Sequence, residues 1–142
     1  MGLESLLYIS ESKIAANDAE RDINDLIERA QAFNASIGIT GSLLFTGMHF
    51  AQVIEGEEVA VAGLMAAISR DRRHARVKIV TRGALMARRF PGWSMAYNGP
   101  SQFVSHHVTR LLNEPSPSES ARAAHWLSEL LEQFSGYKGC AA

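Results

Sequence analysis

A glutamine inside an apolar run is the residue of this sequence best placed to do chemistry. Phe50, Gln52 and Ile54 alternate within the run Phe50–Gly56, so in a β-strand their side chains share one face. A buried carboxamide that lacks a hydrogen-bond partner costs roughly 1–3 kcal/mol. The pattern therefore predicts a polar partner for Gln52, which the backbone, water, another side chain or a ligand would supply.

Three further features of the sequence, taken alone, favour a structural interpretation over a functional one. Tyr8 lies in the apolar run Leu6–Ser10 and is interpreted as a core tyrosine whose hydroxyl needs a partner. Asn34 stands where a helix should end and is interpreted as its C-cap, because asparagine tolerates a left-handed backbone. Gly38 and Gly41 have the spacing of a nucleic-acid backbone clamp, but within an apolar strand they favour close backbone packing.

Basic residues cluster around His74, and two interpretations of them stay open. One is a solvated surface patch, and the other is a phosphate or ribose contact, because guanidinium forks suit phosphate oxygens. The cluster consists of Arg70, Arg72, Arg73, Arg76 and Lys78.

Metal and nucleophilic chemistry find little support in the sequence. His106 and His107 are adjacent and diverge on a helix, and no carboxylate or cysteine stands at ligand spacing, so no metal site is predicted. The sequence contains no recognisable triad motif and no Walker-type loop. We therefore expect that this protein is not an enzyme.

Length and charge limit the class of protein. The 142 residues predict one domain, and a net charge of −1 from 14 basic and 15 acidic residues gives no indication of nucleic-acid or membrane binding. The single cysteine, Cys140, forms no internal disulfide, which indicates a reducing compartment. The N-terminus lacks a basic signal region, and no apolar run approaches the ~20 residues of a membrane span. We expect a cytoplasmic protein.

The apolar periodicities predict the element order βαββαβ followed by one more strand. This order indicates an α+β, ferredoxin-like fold, with a five-stranded mixed sheet and two helices on one face. Val61, Leu64 and Ile68 mark the second of these helices. The predicted strands are Leu6–Ser10, Ile39–Thr46, His49–Glu55, Val77–Thr81 and Trp93–Tyr97.

The C-terminal part of the chain is predicted to form two more helices. Each carries an apolar stripe at helical spacing, and we expect both to cover the other face of the sheet. The sequence thus divides into a core, residues 1–98, and a C-terminal helical segment, residues 99–142. The stripes consist of Val104, Val108, Leu111 and Leu112, and of Leu127, Leu130, Leu131 and Phe134.

Five segments in this order together resemble the BLUF family of blue-light sensors that use flavin. The resemblance runs from about Leu3 to Tyr97, and it is the order and spacing of the segments that make it specific. It implies a short stand-alone photoreceptor that binds FAD, with FMN or riboflavin as alternatives. The segments are Leu6–Ser10, Asn34–Gly41, Phe50–Gly56, Ile68–His74 and Arg88–Met95.

The resemblance assigns photochemical roles to four residues. Tyr8 matches the electron-donating tyrosine of the family, and Gln52 matches the switching glutamine between that tyrosine and the flavin. Trp93 and Met95 match the pair on the fifth strand that exchange environment near the glutamine. In the family, electron and proton transfer leaves the glutamine rotated or tautomerised, and the new hydrogen bond at the flavin carbonyl shifts absorption to the red.

Six further residues match positions that hold the cofactor. Asn34 matches the asparagine that hydrogen-bonds the edge of the flavin ring, and Asp71, Arg73 and His74 match polar contacts near the ribityl and phosphate end. The ring lies between the two helices in the family, which implies that Leu26 and Ile27 pack on it. Four positions depart from the common pattern and are expected to tune the site: Ala30, Phe33, Ser42 and Phe45.

The resemblance also implies an output. A separate partner is expected, either a cyclic-dinucleotide enzyme or a transcription regulator, and self-association through the sheet or tail is compatible with it. The signal would pass through the fifth strand and the C-terminal helices. The alternative is a ferredoxin-like regulator or small enzyme that binds a small molecule without photochemistry.

Overall fold

The computed structural model of the protein describes residues 2–15, 17–98, 101–113 and 117–141, and its account of side chains omits residues 19–20, 94–98, 117–120 and 134–141. Five strands and four helices are present in these ranges, in the predicted order. They are β1 (Leu3–Ser12), α1 (Ala19–Ser36), β2 (Thr40–Phe45), β3 (His49–Glu57), α2 (Glu58–Arg70), β4 (His74–Leu85), β5 (Trp93–Asn98), α3 (Gln102–Leu112) and α4 (Pro117–Ala141).

The strands form one sheet in the order β4-β1-β3-β2-β5. The pairs β1–β3, β1–β4 and β2–β3 are antiparallel, whereas β5 runs parallel to β2. This arrangement is the split βαβ topology, so the predicted α+β, ferredoxin-like fold is confirmed. The topology places β1 and β3 side by side at the centre of the sheet, although α1 and β2 separate them in the chain.

Each face of the sheet carries its own apolar core. Leu6 and Tyr8 of β1 point to the face covered by α1 and α2, whereas Leu7 and Ile9 point to the face covered by α3 and α4. This is the two-residue alternation of a strand. The prediction that the two C-terminal helices cover the second face is confirmed for the described side chains, which do not include that of Phe134.

The end of α1 differs from the prediction. Asn34 is not the C-cap, because the helix runs to Ser36 and its C-cap is Ile37. Gly38, with φ of +70°, supplies the left-handed residue that ends the helix. The backbone oxygen of Asn34 accepts from Ile39 N at 2.8 Å, which ties the last turn of α1 to the start of β2. The prediction was wrong because glycine needs no side-chain compromise at this position.

Gly41 confirms the prediction of close backbone packing for one glycine of the pair, whereas Gly38 lies before β2 and ends α1 instead. A Cβ atom at Gly41 would lie 2.0 Å from Val53 O, and the residue has φ of +150°.

The strand limits also differ from those predicted: β4 begins at His74 and reaches Leu85, and β3 continues past Gly56. β4 is an edge strand with many exposed residues, so its polar ends carry no apolar alternation that sequence could detect.

None of the helices within the described residues combines the length and apolar character needed to span a membrane.

Candidate functional site

A cavity opens between α1, α2 and the face of the sheet that carries Tyr8. The cavity has a volume of about 200 Å³ and is open to solvent on one side. Apolar side chains dominate its wall, with a few polar groups among them. Residues that line it include Tyr8, Leu26, Ala30, Phe33, Asn34, Phe50, Gln52, Asp71, Arg73, His74 and Trp93.

Tyr8 and Gln52 meet in this cavity through a direct hydrogen bond. They are register partners on β1 and β3, and the Tyr8 hydroxyl donates to Gln52 Oε1 at 2.5 Å. Both side chains are buried. Burial, and next the charge of Asp71, raise the pKa of the Tyr8 phenol far above its ordinary value, so the phenol stays protonated and remains the donor. The amide nitrogen of Gln52 therefore faces away from Tyr8.

Within the part of the chain that the structure describes, two other polar atoms of the cavity wall are buried without a hydrogen-bond partner. Asn34 is 2% exposed and its Oδ1 has no hydrogen-bond donor, while Trp93 is 9% exposed and its Nε1 has no acceptor. Buried polar atoms of native proteins are almost always paired. An unpaired acceptor and an unpaired donor on one cavity wall indicate a ligand that carries both kinds of group.

His74 stands beside Tyr8 at the β4 side of the cavity. Its Nδ1 lies 2.7 Å from Ser10 Oγ, its ring centroid is 4.4 Å from that of Phe50 and 6.0 Å from that of Tyr8. Burial lowers the pKa of the imidazole to about 4, against the opposing charge of Asp71. The ring is therefore neutral near pH 7 and can serve as an acceptor or as a donor.

Asp71 and Arg73 form a fork at the end of α2. The Arg73 guanidinium donates from Nη2 at 2.6 Å and from Nε at 3.0 Å to the carboxylate, and the Arg73 backbone N–H adds a third bond at 2.9 Å. These hydrogen bonds hold the pKa of Asp71 below its ordinary value. The arrangement fixes one guanidinium at the cavity wall and leaves little net charge there.

The structure brings together eight of the ten residues that the resemblance singled out. Ile27 is not one of them: it is partly buried against the core but does not line the cavity, because it lies about 100° around α1 from Leu26. The side chain of Met95 lies outside the described residues, and its backbone pairs with Leu43. The residues brought together are Tyr8, Leu26, Asn34, Gln52, Asp71, Arg73, His74 and Trp93.

Of the basic cluster around His74, only Arg73 is among the described residues that line the cavity. Arg76 and Lys78 bond instead to α3 on the other face of the sheet. Among the four departures, Ala30 and Phe33 line the cavity, Phe45 stacks on Phe50 at 4.7 Å, and Ser42 is fully buried in β2.

Glu55 is a residue whose importance the sequence reasoning missed. Its carboxylate is fully buried and accepts hydrogen bonds from the backbone N–H groups of Arg89 and Phe90 at 3.1 Å and from Arg89 Nε at 3.3 Å. It thereby holds the segment that enters β5 just before Trp93. An acidic residue at the inner end of an apolar strand was the available signal, since buried carboxylates are rare unless paired.

The polar groups of the cavity fit the edge of a flavin ring. That edge carries carbonyl acceptors and one N–H donor, which complement the Trp93 Nε1 donor and the Asn34 Oδ1 acceptor left unpaired. Leu26 and Ile68 supply apolar wall, as a planar aromatic ligand requires. Asp71, Arg73 and His74 stand together at one side of the same cavity.

Comparison with known proteins agrees with this chemistry. The chain is 33% identical over 110 residues to photoactivated adenylate cyclase subunit alpha of Euglena gracilis, and 34% identical over 88 residues to the blue light- and temperature-regulated antirepressor BluF of Escherichia coli. These matches cover 78% and 62% of this chain but 11% and 21% of the relatives, so the chain spans a small part of their length.

Solved structures show the same fold. BlrB, a BLUF protein in its dark state, superposes with a TM-score of 0.71 at 32% identity, covering 93% of this chain and 96% of that one. Klebsiella pneumoniae BlrP1, in a complex with calcium and cyclic di-GMP, superposes with a TM-score of 0.61 at 32% identity, covering 76% of this chain and 28% of that one.

The sequence profile of the family described as sensors of blue light using FAD matches residues 3–96, about two thirds of the chain and the whole cavity-forming core. The chain therefore belongs to the BLUF family of FAD-binding blue-light sensors.

Proposed function

We propose that Tyr8 and Gln52 are the photochemical pair of this sensor. The observation that carries the proposal is the hydrogen bond of 2.5 Å from the Tyr8 hydroxyl to Gln52 Oε1, buried in the wall of the cavity. A phenol kept protonated by burial is a poor base but a source of both an electron and a proton.

Bound FAD supplies a chromophore that absorbs blue light and becomes a strong oxidant. The phenol of Tyr8 becomes very acidic when it loses an electron, and its proton is already directed at Gln52 Oε1. The amide can therefore accept that proton and later settle in a different hydrogen-bond arrangement, by rotation or by tautomerisation. Either change alters which group Gln52 presents to the cavity.

The remaining cavity residues are proposed to hold the cofactor. Asn34 offers its unpaired Oδ1 to the ring edge, and Leu26 provides apolar contact. Asp71 and Arg73 form a polar pair for the ribityl and phosphate end, where the neutral imidazole of His74 adds one further polar group.

We further propose that β5 and the C-terminal helices carry the output to a separate partner. Trp93 lines the cavity and begins β5, and α4 packs on the opposite face of the sheet. Relatives include an adenylate cyclase, an antirepressor and BlrP1 with cyclic di-GMP, which supports a cyclic-nucleotide enzyme, a cyclic-dinucleotide enzyme or a transcription regulator as the partner. The single cysteine supports a cytoplasmic location.

Tyr8→Phe tests the photochemical role. We expect the variant to retain FAD, because phenylalanine preserves the ring, and to lose the reversible red shift that blue light produces in the unaltered protein, because the donor proton is gone. Absorption spectra before and after illumination provide the measurement. Phe103→Leu, at an exposed ring of α3, is the control and should keep the shift, whereas an undiminished red shift in Tyr8→Phe would refute the donor role.

A further inference from the structure

A bulge in β4 turns the strand between its two ends. Lys78 pairs with Ile9 and Ala75 pairs with Glu11 of β1, so two residues of β4, Arg76 and Val77, stand opposite the single residue Ser10. Among the described residues, Arg76 is the only residue other than glycine with a positive φ, at +52°. Such an outlier inside a strand marks a bulge that re-aims neighbouring side chains.

The bulge places the two ends of this segment on opposite faces of the sheet. His74 pairs with Ser12 and so shares the face of Tyr8, where it lines the cavity. Lys78 pairs with Ile9, whose side chain belongs to the core under α3 and α4. In an unbroken strand, residues four apart would share one face.

On the far face, β4 holds the C-terminal end of α3. Lys78 Nζ donates to Leu111 O at 2.6 Å, and Arg76 Nη2 donates to Leu112 O at 2.9 Å. Arg76 also reaches the C-cap residue Asn113, whose Oδ1 lies at 3.3 Å. The last carbonyls of a helix have no partner within it and carry its partial negative charge. Two cations therefore satisfy the end of α3.

On the cavity face, the same bulge is tied to the site. Ser10, the residue opposite the bulge, lies with its Oγ 2.7 Å from His74 Nδ1. Glu11, the next residue of β1, points to the other face, where its Oε1 lies 3.6 Å from Arg76 Nη1. Neighbouring residues of β1 thus contact the cavity histidine and the cation that caps α3.

We infer that Arg76 and Lys78 are positioning residues that couple the state of the cavity to α3 through the β4 bulge. A change of hydrogen bonding at His74 moves the bulged segment, and the segment moves the cap of α3. This inference rests on the proposed function for its light input, but it uses the β4 edge of the sheet, whereas the route through β5 uses the opposite edge.

Hydrogen exchange of the full chain with bound FAD tests the coupling. In the unaltered protein, blue light should speed amide exchange severalfold in the last turn of α3, residues 109–113. In Lys78→Met, dark exchange there should already be about tenfold faster, because a charge-assisted hydrogen bond is lost. Light should then add no further change there, while the red shift of the flavin spectrum stays intact.

Three comparisons separate coupling from simple stabilisation. Lys78→Arg retains a donor for Leu111 O and should restore the light response of α3. Arg82→Met removes another cation of β4, one that pairs with Glu4, and should leave the response unchanged. Arg76→Met should behave as Lys78→Met does, which gives an independent variant if either folds poorly.

Two outcomes would overturn the inference. One is an undiminished light response of α3 in Lys78→Met, and the other is a red shift in the unaltered protein without any response in residues 109–113. If the protein shows no red shift at all, the proposed function fails instead. The coupling is then tested by comparing amide exchange in α3 with and without added FAD. If FAD changes this exchange in the unaltered protein and the change persists in Lys78→Met, the coupling is contradicted.

Discussion

At the scale of single residues, the cavity is defined by hydrogen-bond groups that the protein does not satisfy alone. The predicted polar partner of Gln52 is Tyr8, whereas no described residue donates a hydrogen bond to Asn34 Oδ1. A native protein keeps such an acceptor only where something else supplies the donor. We therefore propose that the bound cofactor supplies the hydrogen-bond donor for Asn34 Oδ1.

Asn34→Leu should weaken FAD binding by about 10- to 100-fold. Leucine has a similar volume but offers no acceptor, so the flavin N–H that Asn34 would satisfy is left unpaired in a buried site, at about 1–3 kcal/mol. Titration of the protein with FAD, followed by fluorescence, gives the dissociation constant. Asn17→Leu, an exposed asparagine before the same helix, is the control, and equal affinities for the two variants would contradict the role of Asn34.

At the scale of elements, β5 depends on a carboxylate that belongs to β3. Glu55 accepts hydrogen bonds from the chain at Arg89 and Phe90, and an ion pair of 3.3 Å joins it to Arg89 Nε. Arg89 in turn lies 3.9 Å from Glu132 of α4. The segment before Trp93 is thus fixed by the strand that carries Gln52, which gives the cavity and the start of β5 a common support.

Glu55→Gln should lower the free energy of unfolding by about 2 kcal/mol. The amide keeps the shape of the side chain but loses the charge, so hydrogen bonds to Arg89 and to the two backbone N–H groups weaken, and an amino group faces donors. Urea denaturation followed by circular dichroism measures the change. Glu57→Gln, at the exposed end of the same strand, should shift the midpoint little. If the midpoint of Glu55→Gln lies as close to that of the unaltered protein as the midpoint of Glu57→Gln does, the buried carboxylate contributes little to stability.

At the scale of the whole molecule, the sequence predicted the layers better than the contacts. Alternation within the strands and the helical spacing of apolar residues are local patterns, so they predicted the two faces of the sheet and the helices that cover them. The bond between Tyr8 and Gln52 joins residues 44 apart in sequence, and its geometry depends on a register that no local pattern encodes. Glu55 was missed for the same reason, since the backbone N–H groups of Arg89 and Phe90 and the Arg89 guanidinium that bind it lie 34 or 35 residues away.

Buried histidines also connect the site to the stability of the whole molecule. Burial lowers the pKa of His74 to about 4, and burial likewise lowers the pKa of His49 under α3. The imidazole of His74 is neutral in the folded protein above about pH 4, whereas in the unfolded chain it takes up a proton near pH 6.5. Between these values the unfolded state binds more protons, so acid favours unfolding.

Lowering the pH from 7 to 4.5 should therefore reduce the free energy of unfolding more in the unaltered protein than in the His74→Gln variant. The contribution of the neutral His74 to the free energy of unfolding is fully present above pH 6.5 and is lost as the pH falls toward 4. It amounts to up to roughly 3 kcal/mol between these two pH values. Asp71, whose pKa Arg73 holds below its ordinary value, keeps its contribution in this range. Urea unfolding at several pH values measures the slope. His125→Gln, at an exposed histidine, should retain the slope of the unaltered protein, and an equal slope in His74→Gln would show that His74 does not carry this acid sensitivity.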